Sequence, residues 1–213
     1  MIPMMIDDLY PRMPWDKIDA VVFDVGQVLL RFDPAQLLDR LVPQRPDLHD
    51  ALLARVFKSP YWVMLDRGTA TVEELIAVMC TGAPEEMIPH IHRIMTGWWD
   101  IDEIPEGVRA LKACKAHGKK LYVLSNYGDK PFAHAEATHD LFSLFDDKLV
   151  SSRHHVIKPD PAIYALAQQR FGLDPARTLF IDDAPANIEG ALQAGWQGLC
   201  FNHPGKLDAF MGV

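Results

Sequence analysis

The chain has 213 residues, 49% of them hydrophobic and 23% charged, which suits one globular domain or one domain carrying a smaller insertion. With 21 Lys and Arg against 29 Asp and Glu, the formal charge of -8 excludes the basic footprint that a phosphate backbone requires, so nucleic acid is not an expected partner. Three cysteines without a CxxC pair offer neither a zinc ligand set nor a redox motif, and a reducing cytoplasm is the expected location.

The opening "MIPMMIDDLYPRMPW" carries Asp7, Asp8 and prolines, and it resembles neither a signal peptide nor a transit peptide. No stretch is long enough to span a bilayer. "AVVFD" (20–24) is the first of five short runs rich in Val, Ile, Leu and Phe. The others are "KLYVLSN" (120–126), "DKLVSS" (147–152), "TLFIDD" (178–183) and "GLCF" (198–201). Such runs suit strands buried on both faces of a parallel sheet.

After the first run, residues 34–100 show helical periodicity and no strand run, which predicts an all-helical insert. Asp33 and Pro34 supply an N-cap and a first-turn proline for "AQLLDRLV". Thr71 and Glu74 make a capping box for "TVEELIAVM", and Pro89 within "PEEMIPHIHRIM" predicts a broken or kinked helix. Tyr61, Trp62, Trp98 and Trp99 on the insert are read first as packing, and second as a wall between insert and core. Beyond the insert, "PEGVRALKACKAHG" ends at Gly118, and "DPAIYALAQQRFG" runs from an Asp160 cap to Gly172. Strand and helix therefore alternate through the C-terminal half, the signature of βαβ units. The predicted fold is α/β, a Rossmann-like three-layer core (1–33 and 101–213) with a small all-helical cap domain at 34–100.

Side chains just past the carboxyl ends of parallel strands converge on one crevice. Asp24 ends the first run, Ser125 and Asn126 the second, Asp182 and Asp183 the fourth, and Lys158 follows the third in "HHVIKPDP". Crowded carboxylates raise one another's pKa unless a cation neutralises them, and an all-oxygen site suits Mg²⁺. Mg²⁺ and Lys158 would make a pocket for a phosphate dianion, with Ser125 donating a hydrogen bond. A carboxylate held against phosphorus attacks it directly, giving an aspartyl-phosphate. His90, His92, His154 and His155 do not form a metal set, because adjacent histidines diverge and no Cys or His stands at a usual ligand spacing.

"VVFDVGQVLL", "LYVLSN", "KPDPAIY" and "LFIDDAPANIEGA" resemble, in order, the four motifs of the haloacid dehalogenase-like hydrolase superfamily, over about residues 19–201. The resemblance implies that Asp24 is nucleophile and metal ligand, with the Gly26 carbonyl also on the metal. It further implies that Ser125 and Asn126 hold the phosphoryl group, that Lys158 neutralises Asp24 and the phosphate, and that Asp183, with Asp182 beside it, binds Mg²⁺. The helical insert lies where that superfamily carries its cap.

The match departs at Gly26, where most phosphatases of the superfamily have a second Asp that protonates the leaving oxygen. The subgroup most similar at this motif has "FDxGxV" and includes bacterial phosphatases similar to α-D-glucose-1-phosphate phosphatase. Asn187 replaces another common Asp, and His155 stands where similar proteins often have glycine. Dehalogenation is disfavoured, because those relatives place an aromatic residue at the Gly26 position and use no metal. The expected function is therefore a cytoplasmic Mg²⁺-dependent phosphatase acting on small phosphorylated metabolites, sugar phosphates first. The alternative is a weak or inactive binding or scaffold protein that lost turnover with the second Asp.

Overall fold

The five apolar runs form one parallel sheet in the computed structural model, which describes residues 5–212. The strands are β1 (Ala20–Phe23), β2 (Lys120–Ser125), β3 (Asp147–Val150), β4 (Thr178–Asp182) and β5 (Gln197–Cys200), in spatial order β3-β2-β1-β4-β5. Alternation along β1 explains why its whole sequence is apolar. Val21 and Phe23 enter the core on one face of the sheet, while Ala20 and Val22 enter that on the other. Each fully buried Val or Phe contributes roughly 1.5 to 3 kcal/mol, so neither face tolerates a polar residue before the strand ends.

The chain builds outward from β1 to β3, then crosses back to place β4 on the other side of β1. The reversal opens a crevice at the carboxyl ends of β1 and β4, where ligands bind in sheets of this kind. The pairing register puts Phe23 beside Val123 and Ile181, so the residues that follow these strands leave the sheet at one level.

A short helix α1 (Ile6–Leu9) precedes the sheet, and five helices fill the segment between β1 and β2 before the chain re-enters the core: α2 (Pro34–Leu41), α3 (His49–Leu52), α4 (Trp62–Arg67), α5 (Val72–Cys80) and α6 (Ile88–Gly97). Asp33 caps α2 by accepting the N–H groups of Ala35 and Gln36, and the Thr71–Glu74 box caps α5 reciprocally. Pro89 corrects the expected break. It sits in the first turn of α6, after a 3-10 turn at Glu85–Met87, where its missing N–H leaves no helical bond unmade.

The insert is tied to the core at the end of α4. Gly68 caps that helix at φ +69°, and a Cβ there would lie 2.1 Å from the Ser152 carbonyl oxygen, so only glycine allows this approach. Next to it, the Ser151 hydroxyl donates to the Asp66 carbonyl, and a His155 ring nitrogen lies 3.1 Å from the Arg67 carbonyl. The remaining helices are α7 (Pro105–Ala116), α8 (Asp129–Thr138), α9 (Pro161–Phe171), α10 (Pro185–Gln193) and α11 (Lys206–Met211). Among the described residues, no helix is long and apolar enough to cross a membrane.

Candidate active site

The first residue past β1 is still registered against β4: the Asp24 N–H donates to the Ile181 carbonyl at 2.9 Å. Asp24 therefore occupies the crevice with its backbone fixed. Its Oδ1 accepts from Ser125 Oγ at 2.7 Å and lies 2.9 Å from Lys158 Nζ. Oδ2 has no hydrogen-bond partner among the described residues, which leaves one carboxylate oxygen open to the cavity.

Lys158 is held from several directions. Its Nζ is 2.6 Å from Asp182 Oδ2, with both side chains fully buried. Its backbone N–H donates to Asn126 Oδ1 at 2.8 Å, and Asn126 Nδ2 donates to its carbonyl at 2.9 Å. Asn126 was expected to meet the phosphoryl group. Both polar ends of its amide are instead engaged with the lysine's backbone, so it fixes the loop that aims Lys158, while its side still lines the cavity.

Asp182 and Asp183 differ in their surroundings. Asp182 is fully buried; Oδ1 accepts from the Ala184 N–H at 2.8 Å and from Asn187 Nδ2 at 3.0 Å. Its Oδ2 accepts from Lys158 and, at 3.1 Å, from Asn187. Asn187, the departure from the usual Asp, thus serves as a double donor to Asp182. Asp183 is half-buried, makes no side-chain hydrogen bond among the described residues and lines the cavity beside Asp24.

Asp24, Asp182 and Asp183 each present an oxygen within 4.8 Å of the others, the only such cluster of metal-ligating side chains among the described residues. Three carboxylates against one ammonium leave two negative charges uncompensated. Burial, followed by the charge of Asp182, pushes the Asp183 carboxyl up. Burial likewise drives Asp24 upward, against the pull of Lys158. For Lys158, burial opposes the charged form, but Asp182 and Asp24 outweigh it and hold the ammonium up. An ion of charge two with oxygen preference neutralises this set, so the donors fit Mg²⁺.

A cavity of about 190 Å³ opens over these groups, walled by Gly26, Gln27, Phe32, Trp62, Trp98 and Tyr127 as well as by Asp66. The aromatic residues also pack on one another, with the Trp62 and Trp98 ring centroids 5.2 Å apart and Trp98 and Tyr127 5.8 Å apart. Packing and lining are therefore combined for Trp62 and Trp98, whereas Tyr61 and Trp99 are not among the lining residues. Trp98 Nε1 and Tyr127 Oη are buried without a hydrogen-bond partner among the described residues. Sequence patterns did not single out Asp66, Phe32 or Tyr127, since each reads as an ordinary helix-end or core residue.

A model of the haloacid dehalogenase-like hydrolase family matches residues 18–195. The chain belongs to this family. Among curated haloacid dehalogenase-like relatives, it is 26% identical over 182 residues to the sesquiterpene phosphatase astK of Aspergillus oryzae, a match covering 84% of this chain and 88% of that protein. It is 34% identical over 111 residues to an (S)-2-haloacid dehalogenase of a Pseudomonas species, where the match spans 52% of this chain and 46% of the relative. In fold it is similar to a crystallised dehalogenase, with a TM-score of 0.71 and 24% identity over 90% of this chain and 88% of the other. It is also similar to a haloacid dehalogenase family enzyme of Bacteroides thetaiotaomicron solved with magnesium and inorganic phosphate. There the TM-score is 0.65 and the identity 19%, over 86% of this chain and 93% of the other. Family membership makes the protein a hydrolase with a Rossmann-like core. Relatives of both kinds, phosphatase and dehalogenase, stand beside it.

Proposed function

We propose that the protein is a Mg²⁺-dependent phosphatase that hydrolyses small phosphorylated metabolites through a phospho-Asp24 intermediate, with residues 34–100 acting as the cap. The observation that carries this reading is that Asp24 and Asp183 line one cavity while Ser125 and Lys158 both hold Asp24 Oδ1. Magnesium would be held by Asp24, Asp183 and the Gly26 carbonyl, and would supply positive charge against the phosphoryl oxygens. Asp182, whose oxygens are already engaged, orients Lys158.

The protein's own residues account for the remaining chemistry. Ser125 and Lys158 occupy Asp24 Oδ1, so Oδ2 is the oxygen free to face phosphorus or cation. The Lys158 ammonium, fixed by Asp182 and Asn126, offsets charge on the nucleophile and on the bound phosphate. Attack by Asp24 divides the hydrolysis into two displacements at phosphorus.

The organic half of the substrate meets a wall that includes Phe32, Trp62, Trp98 and Tyr127. A sugar ring offers apolar C–H faces to such a wall, which supports sugar phosphates as the first class to assay. The likeness to a sesquiterpene phosphatase adds prenyl phosphates to the panel. A 2-haloacid fits poorly. Its carboxylate and its departing halide both need cations, and among the described residues no arginine lines the cavity, while Lys158 already faces two carboxylates.

The test is release of phosphate from a panel of sugar, nucleoside and prenyl phosphates with Mg²⁺, alongside halide release from 2-chloropropionate. Phosphate release that disappears in Asp24→Asn supports the proposal. Halide release without phosphate release, or silence on every ester with ligand binding intact, overturns it.

A further inference from the structure

We propose that Asp66, contributed by the helical insert, is the proton donor to the leaving oxygen, working in the open space that Gly26 leaves beside Asp24. The inference rests on the phosphatase reading above.

When the bond from phosphorus to the leaving oxygen breaks, the electron pair stays on that oxygen, and an alkoxide leaves slowly unless a proton meets it. Few groups in the cavity have one to give. Lys158 lies between Asp24 and Asp182 with its side chain fully buried. The Tyr127 hydroxyl is held up by burial first and by the charges of Asp66 and Asp24, which makes it a reluctant donor. Asp183 is committed in the present reading to the ion.

Asp66 is different in three respects. It lines the same cavity as Asp24 and Gly26, and its carboxyl has no side-chain hydrogen bond or ion pair among the described residues. Its main chain is pinned to the core by the Ser151 hydroxyl on its own carbonyl, by His155 on Arg67 and by the close approach of Gly68 to Ser152. A donor held by three adjacent tethers keeps its place without help from its own side chain. Finally, a Cβ built on Gly26 meets no heavy atom of the described residues within 4 Å beyond its chain neighbours, so a side chain at this position would enter open space. Burial, then the negative charge of Asp24, raises the Asp66 carboxyl to about 7, with Lys158 pulling the other way. Burial thus lets Asp66 keep its proton to higher pH than an exposed carboxyl does.

The step balances. An Asp24 oxygen bonds to phosphorus as the ester bond breaks, and the Asp66 proton passes to the leaving oxygen, releasing an alcohol and leaving Asp66 ionised. Water then attacks the phospho-Asp24, giving its proton to Asp66 as the bond between phosphorus and Asp24 breaks. Phosphate departs, and both carboxyls return to their starting states.

The experiment compares p-nitrophenyl phosphate, whose leaving group needs no proton, with phenethyl phosphate, whose leaving group does, in wild type, Asp66→Asn and the double variant Asp66→Asn with Gly26→Asp. We expect Asp66→Asn to lower kcat/KM, which reports the first displacement alone, by about 10² or more on phenethyl phosphate and by less than about threefold on p-nitrophenyl phosphate, while kcat falls on both esters because the second displacement uses Asp66 as base. Gly26→Asp in the same chain should restore at least a tenth of the lost rate, because it places a carboxyl in the same open region. Equal losses of kcat/KM on both esters, no loss of it on phenethyl phosphate, or no rescue by Gly26→Asp in a chain whose thermal melt matches wild type overturns the role of Asp66. Wild type silent on both esters, or Asp24→Asn as active as wild type, overturns the phosphatase reading itself.

Discussion

Lys158 Nζ lies 2.6 Å from Asp182 Oδ2, and neither side chain is exposed to solvent. An ion pair so placed is retained because removing one partner is worse than keeping both: the survivor stays buried and uncompensated. Lys158→Met leaves Asp182 and Asp24 facing each other without a cation. It should destabilise the fold by roughly 3 to 5 kcal/mol in urea titration at pH 7.5, and by less at pH 5, where carboxylates take up protons.

The three clustered carboxylates predict that Mg²⁺ stabilises the folded protein. At a concentration about 100 times its dissociation constant, the ion should add about 2.7 kcal/mol. Differential scanning calorimetry with Mg²⁺ and with EDTA measures it. Asp183→Asn should abolish the Mg²⁺ shift and, in EDTA, raise Tm above wild type, since one uncompensated charge is gone. A Tm that ignores Mg²⁺ in both proteins would remove the ion from this site.

Asp66 predicts a pH dependence. Its folded pKa of about 7 lies above the ordinary carboxylate range, so between about 4 and about 7 the folded state binds more protons than the unfolded chain. Stability contributed by protonated Asp66 is therefore lost as pH rises through that window. Asp24, Lys158 and Tyr127 interact with Asp66 and titrate in both proteins, so the comparison with Asp66→Asn isolates one carboxyl. Without Mg²⁺, the variant should gain roughly 1 to 3 kcal/mol on wild type between pH 5 and pH 8 by urea titration.

Gly68 and Gly82 make a matched pair of tests. Both have positive φ, +69° and +66°, but a Cβ at Gly82 meets nothing within 4 Å, whereas one at Gly68 meets the Ser152 carbonyl oxygen at 2.1 Å. Gly82→Ala should lose about 1 kcal/mol, the backbone contribution alone. Gly68→Ala should lose upward of about 2 kcal/mol and lower turnover as well, because the collision pushes the Asp66 segment off the core. Equal effects in the two variants would show that the tether is not tight.

Much of the framework was legible because the interactions that set it are local. A run such as Ala20–Phe23 is apolar at every position only if both faces of the strand are covered, so parallel order could be read from composition. The caps at Asp33, Thr71 and Asp160 involve donors two or three residues away, and all three form as the sequence requires. Pro89 failed as a signal for the same reason that it seemed useful: a proline that interrupts a helix and one that starts a helix are told apart only by where the first turn begins.

By itself, the sequence determined the parallel α/β layers, the helical insert and the placing of Asp24, Ser125, Lys158 and Asp183 at strand ends or in the loops after them, because alternation, capping and strand length act within a few residues. Only the tertiary structure decided which of these groups touch. Lys158 reaches Asp24 across 134 positions of chain and Asp182 across 24, and Asn126 turns its amide to the lysine's backbone rather than the cavity. It likewise brought Asp66 to the cavity that Asp24 lines, through contacts at Ser151, Ser152 and His155 that lie 84 to 88 residues away. Side-chain proximity between distant segments depends on how sheet and insert pack in three dimensions, and no periodicity along the chain carries that information.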